Sequence, residues 1–192
     1  MREIGTALKV VLAMTLITGI FYPLFLTMAA QLFFPYKANG SFLYKHGRPI
    51  GSELIAQKFQ NPGYFWPRPS AIDYNPYPSG GSNLSPTSSK LKKLFNQRML
   101  ELKKQHEGDQ TEIPSNLLFA SGSGVDPHIS LKAAYYQINR IAKTRNVDKT
   151  ILKQLVDRNI QNKLLGVFGL TRVNVLKLNI ELDQQFSPME HP

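Results

Sequence analysis

Cysteine is absent from this chain. That absence excludes a disulfide framework, thiolate metal centres and cysteine nucleophiles. Histidine is scarce: of the four, His46, His106 and His191 are scattered, and His128 lies two residues from Asp126. Charge is missing altogether from the 27 residues between Lys9 and Lys37. No second run of that kind follows. One span cannot by itself build a pore or an alternating-access site, so a transport role requires partner subunits.

What fills the uncharged run is apolar. Between Val10 and Phe34 there are 13 Leu, Ile, Phe or Val residues. At up to about 0.3–0.6 kcal/mol each near the helix centre, they favour insertion by roughly 4–8 kcal/mol before polar residues are subtracted. A hydrocarbon core needs about 20 such residues in a helix, and residues 10–34 are long enough to cross with some tilt. A cleaved signal peptide and a buried soluble helix are the rivals. Thr27-Met28-Ala29-Ala30 offers a weak cleavage site, but Leu32-Phe33-Phe34 continues the apolar run beyond it. Pro23 is expected to kink the span, and Gln31 to reach the interface or a partner helix. Charge does not settle orientation, because Arg2 and Lys9 precede the span while Lys37, Lys45 and Arg48 follow it. The usual layout of an N-terminal anchor leaves residues 1–9 inside the cell, 10–34 in the bilayer and 35–192 outside.

Residues 37–192 carry 21 Lys and Arg against 12 Asp and Glu, a net charge of about +9. Lys90, Lys92, Lys93, Arg98, Lys103 and Lys104 fall in one helical stretch; Lys132, Arg140, Lys143, Arg145 and Lys149 open another. Nucleic acid, anionic headgroups, an acidic partner or a plain solvated face all fit such a balance. Outside the cytoplasm, nucleic acid drops out.

The order of elements reads as α+β. Residues 41–50 form a hairpin, and Ser52 is placed to cap a short helix carrying Leu54, Ile55 and Phe59. Residues 60–89 are rich in proline and glycine yet carry Tyr64, Phe65, Trp66, Tyr74 and Tyr77, which predicts an ordered functional loop. Ser85-Pro86 reads as a cap and first-turn proline for a helix burying Leu91, Leu94, Phe95, Met99 and Leu102. A polar connector, Glu107 to Asn116, leads to a short buried strand, Leu117–Ala120. Ser130 and Asp148 are placed to cap two further helices. Alternation at Val173–Val175 changes phase at Leu176, which predicts a bulged strand or a strand passing into a helix.

Several segments imitate active sites. Ser121-Gly122-Ser123-Gly124 looks like a phosphate cradle, but Gly-Lys-Ser/Thr is missing and Pro127 stands at the third-glycine position of a GxGxxG pattern. Asp126 and His128 could form an acid/base or metal pair, although Pro127 restricts the backbone between them and no third ligand has suitable spacing. Asp148-Lys149-Thr150 opens like the phosphorylated-aspartate motif of P-type ATPases; Ile151-Leu152 then replaces the required Gly-Thr, so Asp148 reads as a helix cap. Ser70 has neither a local base nor a nucleophile elbow.

Other segments carry the resemblance. Gly51-Ser52-Glu53-Leu54-Ile55-Ala56-Gln57-Lys58-Phe59, Tyr64-Phe65-Trp66-Pro67-Arg68-Pro69-Ser70-Ala71 and Ser79-Gly80-Gly81-Ser82-Asn83-Leu84 closely resemble the C subunit of the Kdp potassium-transporting ATPase. Ala120 to Ser130 and Val173 to Asn179 match as well, in the same order and at compatible spacing from about residue 5 to 183. Asn116, Phe119, Leu131 and Leu170-Thr171 depart from the residues most frequent in that family.

The resemblance implies an α+β domain outside the cytoplasm behind a single N-terminal transmembrane helix, in a bacterial inner membrane. It implies an accessory, non-catalytic subunit that serves assembly and acts as a catalytic chaperone, indirectly raising the ATP affinity of a P-type ATPase subunit. The implied partners are that subunit, a channel-like potassium-binding subunit, a small single-helix subunit and the lipid bilayer. ATP and potassium would be handled by the complex, with no cofactor bound here directly. Trp66, Arg68, Ser70, Asn83, Asp126 and His128 are the expected partner contacts, and Gln137 is a weaker contact or cofactor candidate. An anchored binding module for anionic lipid or cell-wall polymer, using the basic helices, is the alternative.

Overall fold

The computed structural model describes residues 2–45, 47–106 and 111–188, so His46 and His191 lie outside the described residues. The chain divides into two compact units, one ending at Ser52 and one beginning at Glu53.

The first unit opens with a 32-residue apolar helix, Arg2–Phe33. It runs as α1 (Arg2–Leu16), a π turn (Ile17–Phe21) and α2 (Tyr22–Phe33). Proline at position 23 has no N–H, and its ring crowds the carbonyl four residues earlier. The wider π turn sits where that crowding falls, with the Tyr22 N–H donating to Ile17 O. Thr18 and Thr27 turn their hydroxyls back onto Met14 O and Pro23 O, at 2.7 and 2.8 Å, so neither is an open polar group on an apolar helix. Gln31 does not project outward alone. Its amide exchanges two hydrogen bonds, 3.2 and 3.1 Å, with that of Asn39, just past the short helix α3 (Pro35–Ala38). The predicted hairpin follows as β1 (Phe42–Lys45) and β2 (Arg48–Ser52), antiparallel with a register shift between Leu43 and Tyr44.

Ser52 caps no helix. It ends β2 and donates its hydroxyl to Gly40 O at 2.7 Å, while residues 53–61 run as a turn, bends and irregular chain. The short apolar spacing of Leu54, Ile55 and Phe59 satisfies no full helical repeat, which is why the pattern misled.

The second unit is built from α4 (Ser89–Gln105), α5 (Ser115–Leu118), β3 (His128–Ser130), α6 (Leu131–Arg145), α7 (Lys149–Arg158), β4 (Ile160–Gln161), β5 (Arg172–Asn174) and α8 (Val175–Gln185). The three strands form one antiparallel sheet in the order β3-β5-β4, with Val173 opposite both Ile129 and Ile160. Ile129, Ile141, Leu152, Leu155, Val173, Leu178 and Leu182 fill the core. Each fully buried side chain of this size is worth about 1.5–3 kcal/mol, so the helices stand on this core rather than on propensity.

Caps fall where short polar side chains meet amphipathic runs. Ser130 accepts from the Ala133 N–H, Asp148 from Thr150 and Asn174 from Lys177. Asn174 is therefore the point where strand passes into helix, which resolves the phase change at Leu176. Two expectations fail. The α4 cap is Ser88, not Ser85; Ser85-Pro86 forms a preceding turn in which Ser85 O accepts from the Ser88 N–H. Leu117–Ala120 is not a strand: Pro114 starts a single helical turn that buries Leu117 and Leu118 and leaves Phe119 exposed.

Candidate partner-docking site

The loop between β2 and α4 is ordered because side chains from two helices supply the pairing a strand would give it. Asn179 of α8 accepts from the Phe65 N–H and donates to Phe65 O, both at 2.9 Å. Gln137 of α6 does the same for Trp66, accepting from its N–H at 2.7 Å and donating to its C=O at 3.1 Å. Both amides are buried. A carboxamide presents a donor and an acceptor side by side, so each satisfies both peptide groups of one residue, the buried Phe65 and the half-buried Trp66.

Two arginines complete the clamp. Arg140 stacks 4.0 Å above the Trp66 ring and donates to Pro62 O, Tyr64 O and the Gln137 amide oxygen. Burial pushes its ordinary value down to about 9, and it remains a cation at neutral pH. Arg145 donates to Gly63 O, pairs with Asp183 at 2.9 Å and lies 4.6 Å over the Tyr64 ring. Tyr64 in turn donates its hydroxyl to Asp183 at 3.0 Å. Arg140 and Arg145 are thus not part of a solvated basic face. Tyr64 and Phe65 close the domain's own core, while Trp66 sits half-buried at its margin with the indole N–H on Asn61 O.

Beyond Trp66 the loop passes over the Ala120–His128 turn. Arg68 reaches Asp126 at 3.1 Å and Ala120 O at 3.4 Å. Asp126 also accepts from the His128 N–H at 3.0 Å, with the imidazole Nδ1 3.6 Å from the same oxygen. Burial alone would raise the Asp126 carboxyl; hydrogen bonds from His128 and from Arg68, with the Arg68 charge, outweigh it and hold the group below its ordinary value. Ser70 folds the next residues, its hydroxyl accepting from the N–H groups of Ile72 and Tyr74. Tyr74 closes the turn by donating to Arg68 O, and burial pushes its phenol up to about 12.

The glycine-rich turn is a cradle, but for this loop. The Ser121 N–H donates to Pro69 O, and Ser123 O accepts from both the Gly80 N–H and the Ser79 hydroxyl. Gly124 has φ 74°, and a Cβ there would stand 2.5 Å from Ile72 and 2.7 Å from Gly80 O. The N–H groups of Gly124, Val125 and His128 are spent on Ser121 O, the Ser123 hydroxyl and Asp126. That leaves little of an anion nest.

A family model described as K+-transporting ATPase, c chain, or KdpC, matches residues 4–184. The chain belongs to the KdpC family. It is 45% identical over 182 residues to the potassium-transporting ATPase KdpC subunit of Caldanaerobacter subterraneus subsp. tengcongensis, covering 94% of each chain. To the KdpC subunit of Methylococcus capsulatus it is 47% identical over 180 residues, covering 92% of this chain and 95% of that one. The Leptospira interrogans KdpC subunit is 46% identical over 186 residues, with 95% and 94% covered.

Within this member of the KdpC family, the expected contact residues divide into three. Arg68, Ser70, Asp126 and His128 form one connected, half-buried chain of hydrogen bonds. Trp66 belongs to the neighbouring Gln137–Arg140 clamp. Asn83 stands apart, exposed and at φ 50°. Gln137 is fully buried with both ends of its amide engaged, so its visible work is to hold Trp66. In the sequence Arg140 and Arg145 count only as helical charge, and nothing marks Asn179 or Asp183 as part of the clamp; the available signal is that Arg140 lies three residues from Gln137, on the same side of α6.

Proposed function

We propose that this chain is a non-catalytic accessory subunit of an ATP-driven potassium import complex, needed for its assembly and stability. The observation that carries the proposal is the family match over nearly the whole chain, residues 4–184. The one apolar helix of membrane-spanning length among the described residues supports it, since a lone span needs other subunits to form any ion path. The partners are a channel-like potassium-binding subunit, a P-type ATPase subunit and a small single-helix subunit. The span sits in a bacterial inner membrane with residues 1–9 inside, and the domain lies outside.

That layout sets the mechanism. ATP is inside and the domain outside, so the domain does not itself hold the ATP. Raised ATP affinity in the ATPase subunit is a coupling free energy transmitted through the span and the neighbouring subunits. The docking surface centres on Trp66, Arg68 and Ser70, with Asp126 and His128 behind them. Pro67 and Pro69 fix the backbone on either side of Arg68, and the clamp below is already paid in entropy, so a partner meets a preorganised segment. Tryptophan and arginine are also the side chains most enriched at interface hot spots.

The test compares the purified complex with and without this chain, measuring potassium-stimulated ATP hydrolysis across ATP concentration. A higher KM for ATP and poorer subunit recovery in its absence are expected, with no hydrolysis by the chain alone. An unchanged KM and intact assembly would contradict the proposal.

A further inference from the structure

The turn joining β4 to β5 is the most conspicuous feature that the docking site does not use. Five of its seven residues from 164 to 170 are large and apolar, and all five face outward: Leu164, Leu165, Val167, Phe168 and Leu170 are 64–83% exposed. A few scattered apolar side chains on a surface mean little, but a contiguous group marks a binding or membrane-contact site.

Its backbone is already closed. Leu164 and Phe168 exchange two hydrogen bonds at 2.9 and 3.0 Å, the Val167 N–H donates to Leu164 O, and the Gly166 N–H to Lys163 O. The N–H groups of Leu164, Gly166, Val167 and Phe168 are thereby paired within the turn, which lowers the cost of carrying its tip out of water. Leu165 and Gly166 both have positive φ, 52° and 75°. That is glycine or asparagine territory, and a leucine there is strained. Nothing inside the domain returns that cost, because the Leu165 side chain is 83% exposed.

Charge along the hairpin itself, residues 159–174, is of one sign. From Arg158 to Ile180 there are four cations and no carboxylate. Lys177 is paired with Glu53, whereas Arg158, Lys163 and Arg172 are exposed and form no ion pair among the described residues. Lys163 and Arg172 stand at the two feet of the hairpin. An apolar tip above a cationic collar matches the acyl boundary of a bilayer beneath anionic headgroups.

We propose that residues 163–172 form a membrane-interface anchor: the tip inserts among lipid acyl chains while Arg158, Lys163 and Arg172 meet anionic lipid phosphates. Covalent attachment to the span keeps the domain near a bilayer, so a weak interfacial affinity is enough at that effective concentration. A groove on another protein would accept the tip but assign no role to the unpaired cations. The anchor involves neither the cations of α4 nor the docking chain around Arg68, and it holds whether or not partner subunits are present.

The test uses the full chain, whose lack of cysteine allows single labels. Nitroxide-labelled Leu165→Cys and Phe168→Cys, with Lys153→Cys at an exposed position of α7 as control, are placed in vesicles of phosphatidylcholine with or without phosphatidylglycerol. With phosphatidylglycerol, collisions with oxygen should exceed those with a polar nickel complex at 165 and 168, at a depth of roughly 5–10 Å, and not at 153. Lys163→Gln with Arg172→Gln should make both labels shallower while leaving circular dichroism unchanged. Aqueous accessibility at 165 and 168 equal to that at 153 would overturn the proposal. So would protection that appears only when partner subunits are co-reconstituted, which would seat the tip on protein.

Discussion

Gln137 and Trp66 form a closed two-bond ring, side-chain amide against main-chain amide, at 2.7 and 3.1 Å. The glutamine is 71 residues away in sequence and wholly buried, and it also takes a hydrogen bond from Arg140 at 2.7 Å. A single amide thereby fixes the exit of the chain from the core into the loop beyond Trp66 and orients the Arg140 cation over the indole.

Replacing Gln137 with alanine should be costly. The Trp66 N–H and C=O lose their partners at a half-buried residue, at up to about 1–3 kcal/mol for each group left unsatisfied. The whole loss should be about 2–4 kcal/mol, partly offset where water enters. Trp66 is the only tryptophan, so its fluorescence during urea unfolding of the detergent-solubilised chain reads this site directly. A midpoint unchanged in Gln137→Ala would mean the ring contributes nothing.

Asp126 predicts a pH dependence with a definite sign. Its carboxyl is held below the ordinary value of 3.8, so its stabilising contribution is present above that value. It fades as pH falls through the lowered folded value, because the unfolded chain takes up the proton first. Thermal unfolding of the wild type should exceed that of Asp126→Asn from neutral pH down to about 4, and the gap should narrow below it. A gap that widens on acidification would contradict the assignment.

Arg68→Ala should separate docking from folding. The Arg68–Asp126 pair is partly exposed and worth less than about 1 kcal/mol to the isolated chain. At a hot spot the same truncation costs about 2 kcal/mol or more in binding. Recovery of the complex in detergent should therefore fall roughly tenfold or more while the melting temperature stays near normal. Trp66→Ala is the harsher variant, since it also removes the face under Arg140. Normal recovery from both would confine this loop to a structural role.

The topology is open to direct test. Protease added to intact spheroplasts should digest the domain from residue 53 onward and spare the span. A domain fully protected while an exported control protein is cut would reverse the orientation.

Patterned elements were legible in the sequence, and contacts bridging distant segments were not. The long apolar helix, the hairpin, the caps at Ser130 and Asp148 and the helix faces follow from local spacing, which is how local physics expresses itself. Ser52 and Leu117–Ala120 were misjudged because stretches of four to nine residues carry too few turns of any repeat to tell helix from strand. The order of the 60–89 loop was legible in its aromatics, but its cause was not. Asn179 and Gln137 sit 114 and 71 residues from the peptides they bind, and nothing in their own neighbourhoods marks them as anything but polar helix residues. Arg140 and Arg145 were hidden for the same reason: a count of charge along a helix does not reveal which cation faces inward.

The central claim, membership of a working potassium-import complex, is tested most directly by what this chain holds on to. Membranes solubilised in mild detergent are captured through a tag at its C-terminus, and the co-purifying proteins are identified by mass spectrometry. The account predicts a channel-like potassium-binding subunit and a P-type ATPase subunit in fixed proportion to this chain, both lost together when the capture is repeated without the tag. A chain recovered alone, from cells shown to contain those two subunits, would contradict it.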